Sequence, residues 1–256
     1  MELLLEPSHW AMLALVGLVA GFIDAIVGGG GLLSIPALLT IGMPPHIALG
    51  TNKLAACFGS FTASLTYYKQ QLFEPSFWYH SLGATFIGAI IGTIAVFLVE
   101  PEWLEKILPI LIIGIALYTL FSPKLMDENH NAPTTPSSAT KQWTQGVSLG
   151  AYDGFAGPGI GAFWTLTSIK LHKLPLLNSC GLARAMTSIS NATALVLFAA
   201  LGQVHWLVGL WIGVCMMVGA YIGAHSAIRF GVPFIKPLFI IIVLAMAANL
   251  TWTAWQ

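Results

Sequence analysis

GFIDAIVGGGGLLSIPA, residues 21–37, lies inside an apolar run and breaks two of its rules at once. Gly28–Gly31 are four consecutive glycines, which destabilise a helix interior, and Asp24 puts a carboxylate where hydrocarbon makes it costly. In a bilayer, irregular backbone is tolerated only where it is buried in protein or lines a cavity. The stretch therefore reads as a built break in a helix, with Asp24 four residues ahead of it.

Composition supplies the bilayer. Of 256 residues, 57% are apolar and 8% charged, against about 25% charged in a soluble domain. Mean hydropathy is +0.82. The chain lacks the polar surface to cover itself in water. Net charge is zero and no basic stripe exists, so nucleic acid is not an expected partner. The three cysteines, Cys57, Cys180 and Cys215, form neither a metal motif nor a disulfide framework and read as buried thiols. The start, MELLLEPSHW, has acids where a signal peptide carries Lys or Arg, so the first apolar segment is expected to be retained.

A spanning helix needs roughly 20 apolar residues. Eight apolar segments are legible, at 9–27, 46–68, 76–99, 103–121, 143–156, 176–201, 204–228 and 234–254. The first and fifth end in glycine clusters, each followed by a short apolar leg, 32–42 and 160–170. The polar stretch 127–141 reads as a flexible linker between repeats at 1–126 and 142–256. The halves read as copies. Gly17, Gly21, Asp24 and Gly28 recur 129 positions on as Gly146, Gly150, Asp153 and Gly157. Gly88 and Gly92 recur 131 positions on as Gly219 and Gly223, and Lys53 falls on Arg184 at that offset.

The expected fold is an all-α polytopic membrane protein of two inverted-topology repeats, each a Gly-broken helical hairpin plus three spanning helices. If each cluster is a turn, each half crosses an odd number of times. Lys69, Lys124, Lys141, Lys170, Lys173, Arg229 and Lys236 then share one side, with only Lys106 opposite. Lys and Arg collect in cytoplasmic loops. Both termini are then expected outside.

The candidate site follows from the breaks. The legs after Gly28, Gly29, Gly30, Gly31 and after Gly157, Gly159, Gly161 would present helix N-termini, which favour anions. Paired broken helices are the usual pointer to a transporter site. Lys53 and Arg184 lie inside apolar segments, where a cation costs roughly 2.5–3.5 kcal/mol and faces a partner or a wet cavity. They either face an anion, snorkel to the interface, or pair with Asp24 or Asp153. Thr51 and Asn52 beside Lys53, and Thr187, Ser190 and Asn191 after Arg184, are suited to oxyanion recognition or simply to bonding a helix backbone. Asp24 and Asp153 have three readings: holding the loop, counter-ion to a cation, or proton coupling. No HExxH, GxSxG or Gly-Lys-Ser/Thr phosphate loop appears, so neither an enzyme, a metal nor a cofactor is expected.

GFIDAIVGGGGLLSIPALLTIGMPPHIALGTNKLAACFGS, at 21–60, resembles the first-repeat motif of the TauE/SafE-type sulfite and organic-anion exporter family. AYDGFAGPGIGAFW and ARAMTSISNATA resemble its second repeat, and the likeness covers nearly the whole chain, nearest the YfcA-like branch of the bacterial inner membrane. The resemblance implies a secondary transporter, by alternating access, for a small sulfur-containing or carboxylated anion. A passive anion channel is the alternative, and an assembly partner without transport a further one. A homo-oligomer stays open. Where the family pattern has lysine this chain has Arg184, which exchanges a point charge for a fork.

Overall fold

A computed structural model describes residues 6–100, 102–103, 135–235 and 237–238. The expected segments 103–121 and 234–254 fall almost wholly outside these residues, as do positions 127–134 of the linker. Among the described residues the regular structure is helical. The helices are α1 (Pro7–Ile26), α2 (Gly31–Thr40), α3 (Pro45–Lys69), α4 (Tyr79–Phe97), α5 (Ala139–Phe155), α6 (Ile160–His172), α7 (Leu176–Ala200) and α8 (Trp206–Phe230), with one 3₁₀ turn at Pro75–Phe77. α5 starts at Ala139, inside the stretch read as linker. α1, α4, α7 and α8 are long and apolar enough to cross a membrane. α3, at 25 residues, is as long as α7 and α8, but Thr51, Asn52 and Lys53 lower its hydropathy.

Both glycine clusters are turns. After α1, Gly28 takes φ +88°, and after α5, Gly157 takes φ +84° and Gly159 φ +70°, a left-handed region that side chains with a Cβ rarely adopt. Each following leg folds back along its predecessor. In the first hairpin, Leu13 of α1 shares an apolar cluster with Leu38 of α2 and with Met43. In the second, polar groups fasten the open end. Gln145 Nε2 donates to Thr167 Oγ1 at 2.7 Å and Ser168 Oγ at 3.1 Å. Gln145 Oε1 lies 2.7 Å from His172 Nε2, and Ser137 Oγ 2.6 Å from His172 Nδ1.

The two halves exchange partners: α1 packs on α8, and α5 packs on α4. Small residues let these backbones touch, the packing mode that suits lipid. A Cβ on Gly21 would lie 2.2 Å from Met216 O, and one on Gly150 2.5 Å from Thr85 O. One on Gly219 would lie 2.0 Å from Leu18 O, and one on Gly88 2.4 Å from Val147 O. Met216 and Thr85 are 131 positions apart, Leu18 and Val147 129, so each contact in one half is repeated with the halves exchanged.

These contacts also give direction. α1 and α3 run alongside α8: Trp10 meets Trp211, Gly21 meets Met216, Leu54 meets Gly209 and Phe58 meets Gly213. α4 runs opposite to α3, since His46 Nε2 at the start of α3 lies 3.2 Å from Val96 O near the end of α4. α5 and α7 follow α4: Gln142 bonds Ser81 while Gly154 bonds Thr93, and Thr85 meets Met186 while Phe97 meets Phe198. The cations gather accordingly, with Glu74 of the α3–α4 loop the described acid among them. Lys69 ends α3, Arg229 lies in the last turn of α8, and Lys141, Lys170 and Lys173 lie at the open end of the second hairpin, where Lys141 Nζ donates to Leu171 O at 3.2 Å. Asn178 Nδ2 donates to Leu72 O at 3.3 Å and joins that open end to the α3–α4 loop. Glu6 and Glu100 lie at the opposite end.

Candidate functional site

The two elbows meet inside the bundle. A Cβ on Gly28 would lie 2.3 Å from Gly161 Cα, and one on Gly31 3.7 Å from Pro158 Cα. Both intramembrane cations converge on this meeting point, and each reaches across to the other half. Lys53 Nζ on α3 forms an ion pair with Asp153 Oδ1 on α5 at 2.6 Å, and also donates to Asp153 O and, at 3.1 Å, to Asn191 Oδ1. Arg184 Nη1 on α7 pairs with Asp24 Oδ2 on α1 at 3.0 Å and donates to Asp24 O. Lys53 is 2% exposed, Arg184 1% and Asp153 1%, while Asp24 is 16% exposed. Of the sequence alternatives for these cations, the structure therefore displays the ion pairs, crossed between halves.

Glycine is required here by the cations. A Cβ on Gly161 would lie 1.7 Å from Arg184 Nη2, and one on Gly28 2.4 Å from the same atom. On the other side, a Cβ on Gly157 would lie 2.9 Å from Lys53 Nζ. Removing side chains at the elbows lets each charged tip lie against backbone near the start of α2 or α6, whose first N–H groups lack intrahelical acceptors.

The acids do two jobs each. Asp24 Oδ1 accepts Gly30 N–H at 3.1 Å, which holds the first elbow, while its other oxygen takes Arg184. Asp153 takes Lys53 on one oxygen and the Ser190 hydroxyl on the other. Loop holding and ion pairing thus coexist in Asp24.

The remaining predicted residues divide. Asn191 and Ser190 belong to the Lys53–Asp153 cluster. Asn52 Oδ1 accepts from Ser34 Oγ of α2 at 2.5 Å, and Ser34 also donates to Gly30 O at 3.0 Å, so Asn52 steadies the first elbow. Gly29 accepts Leu32 N–H at 3.0 Å in the turn itself. Thr51 turns away: its hydroxyl accepts His205 N–H at 2.9 Å and docks the α7–α8 loop. Thr187 Oγ1 donates at 3.2 Å to Arg184 O within its own helix.

Three side chains outside the expected site residues also hold the elbows; of these the sequence marked Cys180 only as a buried thiol. Tyr67 OH donates to Ala25 O at 3.1 Å, Tyr152 OH to Pro158 O at 2.8 Å, and Cys180 Sγ lies 3.6 Å from Ile26 O. Tyr152 adjoins Asp153, which was a signal; Tyr67 carried none. No group of His, Cys, Asp and Glu suited to a metal occurs among the described residues.

Comparisons with known proteins agree with a membrane transporter. A family profile described as sulfite exporter TauE/SafE matches residues 13–250. A "Probable membrane transporter protein" of Haemophilus influenzae is 38% identical over 242 residues, 94% of each chain. The "Probable membrane transporter protein YfcA" of Escherichia coli K12 is 36% identical over 249 residues, 97% of this chain and 92% of its own. No solved structure gives a significant match. This chain belongs to the sulfite exporter TauE/SafE family.

Proposed function

We propose that the protein is a secondary transporter of the inner membrane for a small sulfur-containing or carboxylated anion. In this reading the two halves are inverted repeats that rock against one another, and the substrate is held where their elbows touch. The observation that carries it is the placement of Arg184 Nη2 between Gly28 and Gly161, one glycine from each half. A positive group at the junction of two broken helices is the arrangement expected of a transporter site for an anion.

Two features support the inverted arrangement. α1, α3 and α8 run one way and α4, α5 and α7 the other, so α1 and α5, the matching first helices, are opposed. The described Lys and Arg outside the site gather at one end, which the positive-inside rule assigns to the cytoplasm, with α1 starting at the other. Both termini outside, proton coupling through the acids and self-association belong to the same proposal.

Counterflow in proteoliposomes tests the reading. Vesicles preloaded with unlabelled sulfite, thiosulfate or sulfoacetate are expected to show saturable, trans-accelerated uptake of the labelled anion. Linear flux without counterflow would identify a passive channel instead.

A further inference from the structure

The duplicated cations occupy matching positions but make different use of their protons. Lys53 carries three donors and meets three acceptors: Asp153 O, Asp153 Oδ1 and Asn191 Oδ1. Nothing on it is left to offer a ligand. Arg184 spends only Nη1, on Asp24 O and Asp24 Oδ2. Its Nε and Nη2 are buried without a hydrogen-bond partner. Such groups are rare because a buried donor left unpaired has given up its bond to water with nothing in exchange, and the loss is greater when the group is charged. These two are also neighbours on the planar guanidinium. Their N–H bonds lie side by side, the fork that grips two oxygens of one oxyanion.

Building on the transporter reading, we infer that the two cations have separate jobs: Arg184 receives the anion side-on through Nε and Nη2, and Lys53 locks the halves together. The ligand is then an anion with two oxygens on one centre, a carboxylate or a sulfur oxyanion, rather than a halide. At 1% exposure the fork is closed to solvent in this conformation, so the anion enters when the elbows of Gly28 and Gly161 part. Asp24 holds the guanidinium by its far nitrogen and leaves the fork aimed away from the carboxylate. The matching carboxylate, Asp153, instead takes Ser190 as well as Lys53, which closes that side.

The test compares the purified full-length protein with Arg184→Lys, titrated with sulfite, thiosulfate, acetate and chloride by calorimetry. Lysine is a fair replacement because Lys53 shows that one fits the matching crossed pair. The unaltered protein is expected to bind at least one of the oxyanions and to bind chloride more weakly. Arg184→Lys is expected to lose about 10- to 100-fold in oxyanion affinity, the worth of one or two charge-assisted hydrogen bonds. Equal oxyanion affinity in the two proteins overturns this inference and leaves the transporter reading standing. No binding of any oxyanion by the unaltered protein overturns both. A second measurement needs no variant of the site. The chain has two arginines, Arg184 and Arg229, so arginine ¹⁵Nε labelling gives two N–H signals, assigned with Arg229→Lys. Saturating oxyanion is expected to move the Arg184 signal, and an unmoved signal in a protein that binds the anion sinks the assignment even if Arg184→Lys fails to fold.

Discussion

Lys53 Nζ stands 2.6 Å from Asp153 Oδ1, although the two residues are 100 positions apart and belong to opposite halves of the chain. Arg184 and Asp24, 160 positions apart, repeat the relationship in reverse. The elbows are therefore stitched by two reciprocal ion pairs, and neither half completes its own charges.

Breaking one pair and deleting it whole have different consequences. Asp153→Asn leaves the buried Lys53 ammonium with neutral acceptors only, and loss of one partner of a buried pair costs roughly 3–5 kcal/mol. Lys53→Met combined with Asp153→Asn removes both charges. The double variant is expected to melt closer to the unaltered protein than Asp153→Asn does, read as the melting temperature in detergent. A double variant as unstable as the single would show that something other than the stranded charge dominates.

The glycine rows set helix spacing and should respond to a single methyl. A Cβ on Gly92 would lie 1.8 Å from Ala151 O, a backbone atom that cannot step aside. Gly92→Ala is expected to cost at least about 1–3 kcal/mol, the usual scale of overpacking. Gly83, in the same helix, has nothing within 4 Å of an added Cβ. Gly83→Ala is expected to be neutral or to stabilise by up to about 1 kcal/mol through helix propensity. Equal melting temperatures for the two variants would refute the packing argument.

Tyrosine hydroxyls hold the elbow carbonyls. Tyr67→Phe and Tyr152→Phe remove one hydrogen bond each, to Ala25 O and Pro158 O, and strand the carbonyl. Each is expected to cost about 1–2 kcal/mol. Because the two elbows touch, the double variant is expected to depart from the sum of the singles by about 0.5 kcal/mol or more. Thermal melts of the single and double variants check both statements.

The latch of the second hairpin makes stability depend on pH. His172 ends α6 near Lys141, Lys170 and Lys173, and burial first, then the Lys141 charge, lowers its pKa from 6.5 to about 4. The folded protein then binds fewer protons than the unfolded chain between those values. Stability from this group is present above pH 6.5, declines as pH falls toward about 4, and changes no further below it. Gln145 donates through its amide to Thr167 and Ser168, so its oxygen accepts from His172 Nε2–H, and Nδ1 is left to accept from Ser137. A second ring proton would oppose that bond. His172→Gln is expected to flatten the melting temperature between pH 6.5 and 4, and an unchanged slope would remove His172 from the account.

The helical elements and both elbows were legible because hydropathy, segment length and glycine clusters are local properties. Leg boundaries read as 32–42 and 160–170 sit beside observed helices Gly31–Thr40 and Ile160–His172. The site was legible in part. Lys53, Arg184, Asp24 and Asp153 were singled out because a charge in an apolar run is rare, and all converge. Thr51 illustrates the limit, since a hydroxyl beside a lysine in sequence gives no hint that it docks His205 from another helix. Tyr67 and Ser34 gave no signal because an aromatic or a serine in an apolar helix is ordinary.

By itself the chain determined that it is a helical membrane protein with glycine-built turns, repeated acids and repeated cations. Those facts follow from transfer energetics and backbone sterics acting over a few residues. Tertiary structure decided which cation meets which acid. Pairing within a half and pairing between halves use the same residue types, and only the packing of α1 on α8 and α5 on α4 chooses between them. It also decided that lysine is fully engaged while arginine keeps a free fork, because that depends on how many acceptors packing brings within reach of each tip.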